Sequence, residues 1–340
     1  MATSTTAVRR SPRPRIPVAA TAAVVVGALA LLGVLSQAFD KGLGTEGNVP
    51  TFILITLNGL TLAGLYFISA SGLTLIFGLL RVTNLAHGAL FLLGGYVALE
   101  LLAKTGMSWW LAAVLAMLAS GLAGLVMHQL FLRWNQGQDL RQALITIAVS
   151  LVLADQMLAH FGGTPTAIPP PPGLTEPVSL GVYDLAYPSF RLAMLAAALV
   201  VGLLFWLVYK RTRVGMVVRA GVDDTQMTSA LGVNVQRVFA IAFFVGSALA
   251  GLGGVFAGTA LSLAPGQDQA FLVSALVVVI VGGMGSLGGA ALGALLLGLV
   301  DQYAGAYLPP QYTNLSALLT FVLLAVVLAV RPTGLFGKAR

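Results

Sequence analysis

Cysteine is absent from the 340 residues, which excludes disulfides, Cys-ligated zinc and thiolate catalysis. Charge is nearly as scarce: 9% of residues are Asp, Glu, Lys or Arg, against about 25% in a soluble domain. So few charges cannot cover a water-facing surface, and with 58% hydrophobic residues the chain is expected in a bilayer. No Gly-x-x-x-x-Gly-Lys-Ser/Thr run occurs either, so the chain lacks the backbone cradle and lysine that hold ATP phosphates.

What the chain has in abundance is long apolar runs. A crossing takes about 20 mostly apolar residues for a hydrocarbon core of about 30 Å. The candidates are residues 18–39, 52–79, 85–103, 109–132, 142–161, 190–209, 238–262, 271–284, 287–303 and 314–330. The eighth is short, and Gly282, Gly283 and Gly285 follow at once, so residues 271–303 read either as two spans or as a broken, re-entrant pair. The expected fold is an all-α polytopic membrane protein of about ten transmembrane helices.

Lys and Arg in short loops accumulate on the cytoplasmic side. With the N-terminus inside, all of the 18 basic residues except Lys41, Lys104 and Arg191 fall in the cytoplasm, which predicts both termini inside. The net charge of +7 is then a topological signal spread over loops, and no nucleic-acid partner is expected. The basic tail 1–17 and the run 18–39 superficially resemble a signal peptide. The run is long for a signal core, however, and no clear small-residue cleavage site precedes Asp40, so 18–39 reads as a retained helix.

Two stretches interrupt the apolar pattern. Residues 162–189, with Pro165, Pro169 to Pro172, Pro177 and Pro188, cannot continue a helix and read as an extended outer loop, either a spacer or a docking surface. Residues 210–237 form the longest charged segment and lie inside. There Asp223 and Asp224 suit the first turn of a short helix, Gly232 suits its stop, and Met227, Ala230 and Leu231 give it an apolar face. A helix that short needs packing to persist, so it reads as a membrane-surface helix or as a knob for a groove on a cytoplasmic protein.

Small residues four apart let helix backbones approach closely in lipid. Gly285, Gly289 and Gly293 form one such stripe and Gly246, Ala250, Gly254 and Gly258 another; both predict helix contact, with a solute path along a glycine face as the alternative. Gly283, Gly285 and Gly288 also match Gly-x-Gly-x-x-Gly, but no strand precedes them, which argues against a dinucleotide site. Ionisable residues inside a membrane suggest function. Asp155, with Gln156, is the most deeply placed acid and reads as an interhelical hydrogen-bond partner or as a proton or cation site. Glu100 and Asp301 fall nearer span ends, and His87, beside Asn84, reads as a cap or as a cavity lining. His128 and His160 are too isolated for a metal site, and Trp109, Trp110, Trp134 and Trp206 read as interfacial anchors.

Three segments together carry a resemblance: the corner Asn84-Leu85-Ala86-His87-Gly88; the loop Arg219-Ala220-Gly221-Val222-Asp223-Asp224 leading to Ala230-Leu231-Gly232-Val233-Asn234; and Gly282-Gly-Met-Gly-Ser-Leu-Gly-Gly-Ala. They resemble, in order, the LivH-type permease subunits of branched-chain amino acid ABC importers. The resemblance implies a permease domain over 40–330, an extra N-terminal helix 18–39, a coupling loop 210–237 and a cytoplasmic tail 331–340. It implies no cofactor on this chain, with ATP and magnesium held by partner ATP-binding subunits. A second permease subunit, as hetero- or homodimer, and an extracytoplasmic solute-binding protein complete the implied assembly in a prokaryotic plasma (inner) membrane. Carried over, Arg219, Asp223 and Asp224 would orient the coupling helix, and Ala230, Leu231 and Gly232 would fit the ATPase. Asn84, His87, Gly88, Gly282, Gly283, Gly285 and Ser286 become pathway or helix-break candidates. The solutes implied are leucine, isoleucine and valine, with urea, amides or other amino acids as alternatives within the family. A self-contained secondary transporter or channel, or a scaffold subunit, is the rival class.

Overall fold

The computed structural model describes residues 18–44, 48–80, 84–181, 183–223, 225–309, 311 and 316–337. The basic tail 1–17, Arg81, Asp224 and residues 338–340 lie outside the described residues. The helices are α1 Val18–Leu43, α2 Val49–Leu80, α3 His87–Thr105, α4 Trp109–Met127, α5 Asp139–Phe161, α6 Ser189–Arg211, α7 Arg213–Asp223, α8 Thr225–Ala230, α9 Val235–Ala260, α10 Gln267–Gly282, α11 Leu287–Tyr307 and α12 Ser316–Val330. Seven of them, α2 to α6, α9 and α11, are long and apolar enough to cross a membrane, with α4 counted through to Asn135; α10 and α12 are shorter and apolar. Each expected span has its helix, α1 included, and the chain is an all-α polytopic membrane protein.

α2 and α9 form the centre, and small residues set how closely they approach their neighbours. A Cβ on Gly72 of α2 would overlap the Gly246 carbonyl of α9, and one on Gly254 would overlap the Phe91 carbonyl of α3. In lipid there is no water to drive apolar faces together, so such backbone approach and the dispersion contacts it permits hold the helices. Another face of α9 meets α4 in the same way, since a Cβ on Gly124 would strike the Ser247 hydroxyl and one on Gly251 the Ser120 hydroxyl. The 246–258 stripe is thus a helix-packing seam. Of the second stripe, Gly289 and Gly293 pack against the Gly282 and Val278 carbonyls of α10, while Gly285 lies before α11 in a turn that needs its φ of +80°.

One end of the bundle gathers the α2, α4, α6 and α10 C-termini. Gln136, after α4, pairs with Gln236 of α9 through reciprocal 3.0 Å amide bonds. A Cβ on Gly285 would sit 3.2 Å from Gly78 Cα. The segment after α12 caps α10, the Leu335 and Phe336 N–H groups donating to the Val281 and Gly282 carbonyls at 2.9 Å. This is the basic end. At the opposite end the Trp109 indole N–H donates to Thr259 Oγ1 (3.1 Å), Glu100 meets Lys104, and His160 Nε2 lies 3.6 Å from Glu100.

α2 is about 48 Å long, and two helices begin part-way along it. His87 Nε2 lies 3.0 Å from the Ser69 carbonyl, which places the start of α3 about 16 Å from the α2 terminus at Leu80. A Cβ on Gly88 would overlap the Asp268 carbonyl, so α10 begins at the same level, and Phe271 stacks on Phe91 with 4.2 Å between centroids. At 16 residues, about 24 Å, α10 covers only part of that length. α11 runs beside α2 as far as the Phe52–Tyr303 stack. Residues 271–303 therefore form a part-depth helix and a full span, with the chain re-entering from the end of α9 through residues 261–266.

The proline-rich loop is anchored rather than free. The Ile168 N–H donates to the Gly258 carbonyl at 2.9 Å, Thr166 bridges Leu263, and the Ile168 side chain is buried. A hairpin of β1 Pro177–Ser179 and β2 Ala186–Pro188 follows. Its Tyr187 hydroxyl is 2.9 Å from Thr61 Oγ1 and donates to Asn58 Oδ1, which also accepts from Arg191 at 2.6 Å.

Gly254→Ala should therefore lower the unfolding free energy of the purified chain by about 1–3 kcal/mol. Gly305→Ala, whose Cβ would meet nothing within 4 Å, should be neutral or stabilising by up to about 1 kcal/mol. Unfolding midpoints in one detergent decide this; equal midpoints would remove the packing account of the 246–258 stripe.

Candidate coupling surface and helix breaks

The segment between α6 and α9 holds the first set of candidates. α7 is tied into the bundle: Val218 packs with Leu79 of α2 and with Phe239 and Ala242 of α9. The Arg219 guanidinium stacks over the Tyr209 ring of α6 at 5.1 Å, so its contact is with a membrane helix. Asp223 is the last residue of α7, where the sequence suggested the first turn of the next helix. The reason is that Arg213 to Asp223 already forms an amphipathic helix of its own, which uses up that acid; Asp224 lies outside the described residues. α8 stops where glycine permits, for Gly232 has φ +85° and its N–H donates to the Ser229 carbonyl at 3.0 Å. Asn234 caps α9 by accepting from the Arg237 N–H at 3.1 Å.

The result is an apolar knob at the basic end. Leu231 is 76% exposed and Met227 60%, Ala230 is exposed between them, and Thr228 on the other side of α8 is buried. Both large side chains stand at the basic end of the bundle with most of their surface exposed.

The second set lies where helices break. Asn84 Oδ1 accepts the Ala86 N–H at 3.1 Å, turning the chain into α3, and Asn84, Ala86 and His87 are fully buried. The Ser69 carbonyl can only accept, so His87 Nε2 carries the proton there. His87 Nδ1, Asn84 Nδ2 and Ser69 Oγ have no hydrogen-bond partner among the described residues. Ser69 was not a sequence candidate, and nothing set it apart from Thr61, Ser71 and Thr74 in the same run. At the other break, Gly283 has φ +102°, and a Cβ there would overlap the backbone of Gly337. Ser286 Oγ caps α11 by accepting the Gly289 N–H at 3.1 Å. Gly282 and Gly88 are points of backbone contact. The structure thus brings Asn84, His87 and Gly88 together at the start of α3, with Gly88 against α10, and Gly282, Gly283, Gly285 and Ser286 together in the turn between α10 and α11, with Gly282 and Gly283 against the tail. The two groups sit at different depths and share no site.

The third set parts company. Asp155 and Gln156 are exposed on α5 and make no hydrogen bond among the described residues, so the interhelical pairing expected of Asp155 is not formed within this chain there. α5 packs with few of its residues, so its acid has no neighbouring helix to bond. Asp301 makes the bond instead: Tyr66 Oη donates to Oδ2 at 2.7 Å and Thr320 Oγ1 to Oδ1 at 3.1 Å, joining α2, α11 and α12. Asp301→Leu should remove the acceptor of the Tyr66 hydroxyl and cost about 1–3 kcal/mol. Asp155→Leu should leave the isolated chain as stable as wild type. Equal losses in thermal unfolding would refute this assignment of the two acids.

Residues 55–328 match the family described as branched-chain amino acid transport system / permease component. The chain is 29% identical over 298 residues to the high-affinity branched-chain amino acid transport permease BraD of Pseudomonas aeruginosa, covering 83% of this chain and 94% of that one. It is 29% identical over 308 residues to LivH of Escherichia coli, covering 84% and 96%. LivM of Escherichia coli, a further permease of such a system, is 25% identical over 311 residues, covering 84% of this chain and 71% of that one.

Proposed function

As the chain belongs to the branched-chain amino acid transport permease family, we propose that it forms the translocation path of an ABC importer for leucine, isoleucine and valine. Energy comes from separate ATP-binding subunits, and an extracytoplasmic binding protein delivers the solute. The observation that carries this reading is the family match, which spans residues 55–328, from α2 to α12, and so takes in both helix breaks and the coupling segment. A second permease completes the path. The similarity of this one chain to both LivH and LivM supports a partner of the same design.

The basic end is cytoplasmic in this reading, with both termini inside a prokaryotic inner membrane. α7 and α8 are the coupling segment: Leu231 and Met227 enter a groove on the ATPase, and Arg219 stacked on Tyr209 ties α7 to α6. Because Val218 packs with Leu79, Phe239 and Ala242, displacement of α7 pushes directly on α2 and α9, the two helices on which the bundle is centred. The part-depth starts of α3 and α10 are the places where a solute path can meet backbone groups without unfolding a helix.

Two measurements test this. Mild affinity purification from the native membrane should recover ATPase subunits and a second multi-span permease; a chain that transports alone would be a secondary carrier. Leu231→Asp should abolish ATP-driven leucine uptake in reconstituted vesicles and release the ATPase while the chain still inserts. Uptake that survives this change would remove the coupling role.

A further inference from the structure

We infer that the cleft between α6, α7 and α9 at the basic end is a binding site for an anionic phospholipid. The cleft has a volume of about 700 Å³, within the usual range of about 300–1,000 Å³ for ligand cavities. Its walls are almost wholly apolar: Val201, Leu204 and Val208 from α6 face Val245 and Leu249 from α9. Its mouth is not, because Arg213, which begins α7, and Arg237, in the first turn of α9, both line it.

The dimensions fit one leaflet. From Val201 to the end of α6 at Arg211 is about 15 Å, and from Arg237 to Leu249 about 18 Å, against about 15 Å for half the hydrocarbon core. Aromatic side chains mark the headgroup level independently, with Lys210 over the Trp206 ring at 5.5 Å and Arg219 over Tyr209. Arg213 and Arg237 stand at that level. Neither guanidinium makes a hydrogen bond or ion pair among the described residues, and both are exposed. A leaflet-deep apolar slot with two unengaged arginines at its mouth suits an acyl chain below a phosphate, and basic pockets between helices on this side of a membrane take anionic headgroups. The outward face of α6, with Leu199, Val200 and Leu203 exposed, has the apolar slot wall without the arginines and should contact lipids without headgroup preference.

The site joins α7 to the transmembrane helices, so an occupant would link the segment at residues 213–223 to α6 and α9 and change how far it can move. It does not depend on the transport reading, only on the chain lying in a bilayer.

Native mass spectrometry of the full-length chain, titrated with phosphatidylglycerol or phosphatidylcholine in mild detergent, tests this. Phosphatidylglycerol should be retained preferentially. Arg213→Gln and Arg237→Gln should each weaken that retention by about fivefold, and Arg141→Gln, at the same end but outside the cleft, should leave it unchanged. Val245→Trp should remove the preference with both arginines in place, because it fills the slot. Equal retention of the two lipids by the wild type, or equal loss in Arg141→Gln, would overturn the proposal. So would an intact complex that retains no phosphatidylglycerol because a partner subunit covers the cleft.

Discussion

Everything in this bundle depends on how closely its helix backbones approach at glycine. Where Gly72 meets Gly246, where Gly254 meets Phe91 and where Gly282 meets Gly289, a single methyl group would push two helices apart. A soluble protein would tolerate looser packing there, since water would still drive apolar faces together. Lipid tails offer no such drive, so contact area and close approach must supply the attraction. The same approach lets α3 and α10 start part-way along α2 without losing contact with it.

That constraint explains the distribution of the polar groups. Asp301 sits where three helices converge and can be bonded by Tyr66 and Thr320. Asp155 sits on a helix that packs with few of its residues, and no hydrogen-bond partner reaches it among the described residues. An acid in a lipid-facing position costs about 2.5–3.5 kcal/mol near mid-membrane, so the two acids have different meanings although the sequence shows them in similar apolar surroundings. The apolar side chains Met227 and Leu231 follow the opposite rule, exposed where the bundle ends rather than buried within it.

Much of this was legible in the chain. Length and spacing of apolar runs located every transmembrane helix, and the stripe 246–258 announced a packing face because spacing by four is the geometry of one helix side. The stop at Gly232 was legible too, since few residues but glycine take φ +85°. The assignment of Asp223 was not, because a charge near a helix boundary suits either the end of one helix or the start of the next, and only the extent of α7 decides. The partner of Arg219 was equally hidden: Tyr209 lies ten residues earlier, across a bend between α6 and α7.

By itself the sequence determined that this protein lives in a membrane, where its apolar helices run, which end carries the positive charge and where its helices break. Those properties depend on local composition, on residue spacing within one helix and on the count of charges in loops. Only the tertiary structure decided that α10 is a part-depth helix starting beside α3, that Asp301 is bonded while Asp155 has no bond among the described residues, and that α6, α7 and α9 leave a leaflet-deep cleft under two arginines. Those properties depend on which helices stand side by side, and that choice is made by long-range backbone contacts that no window along the chain contains.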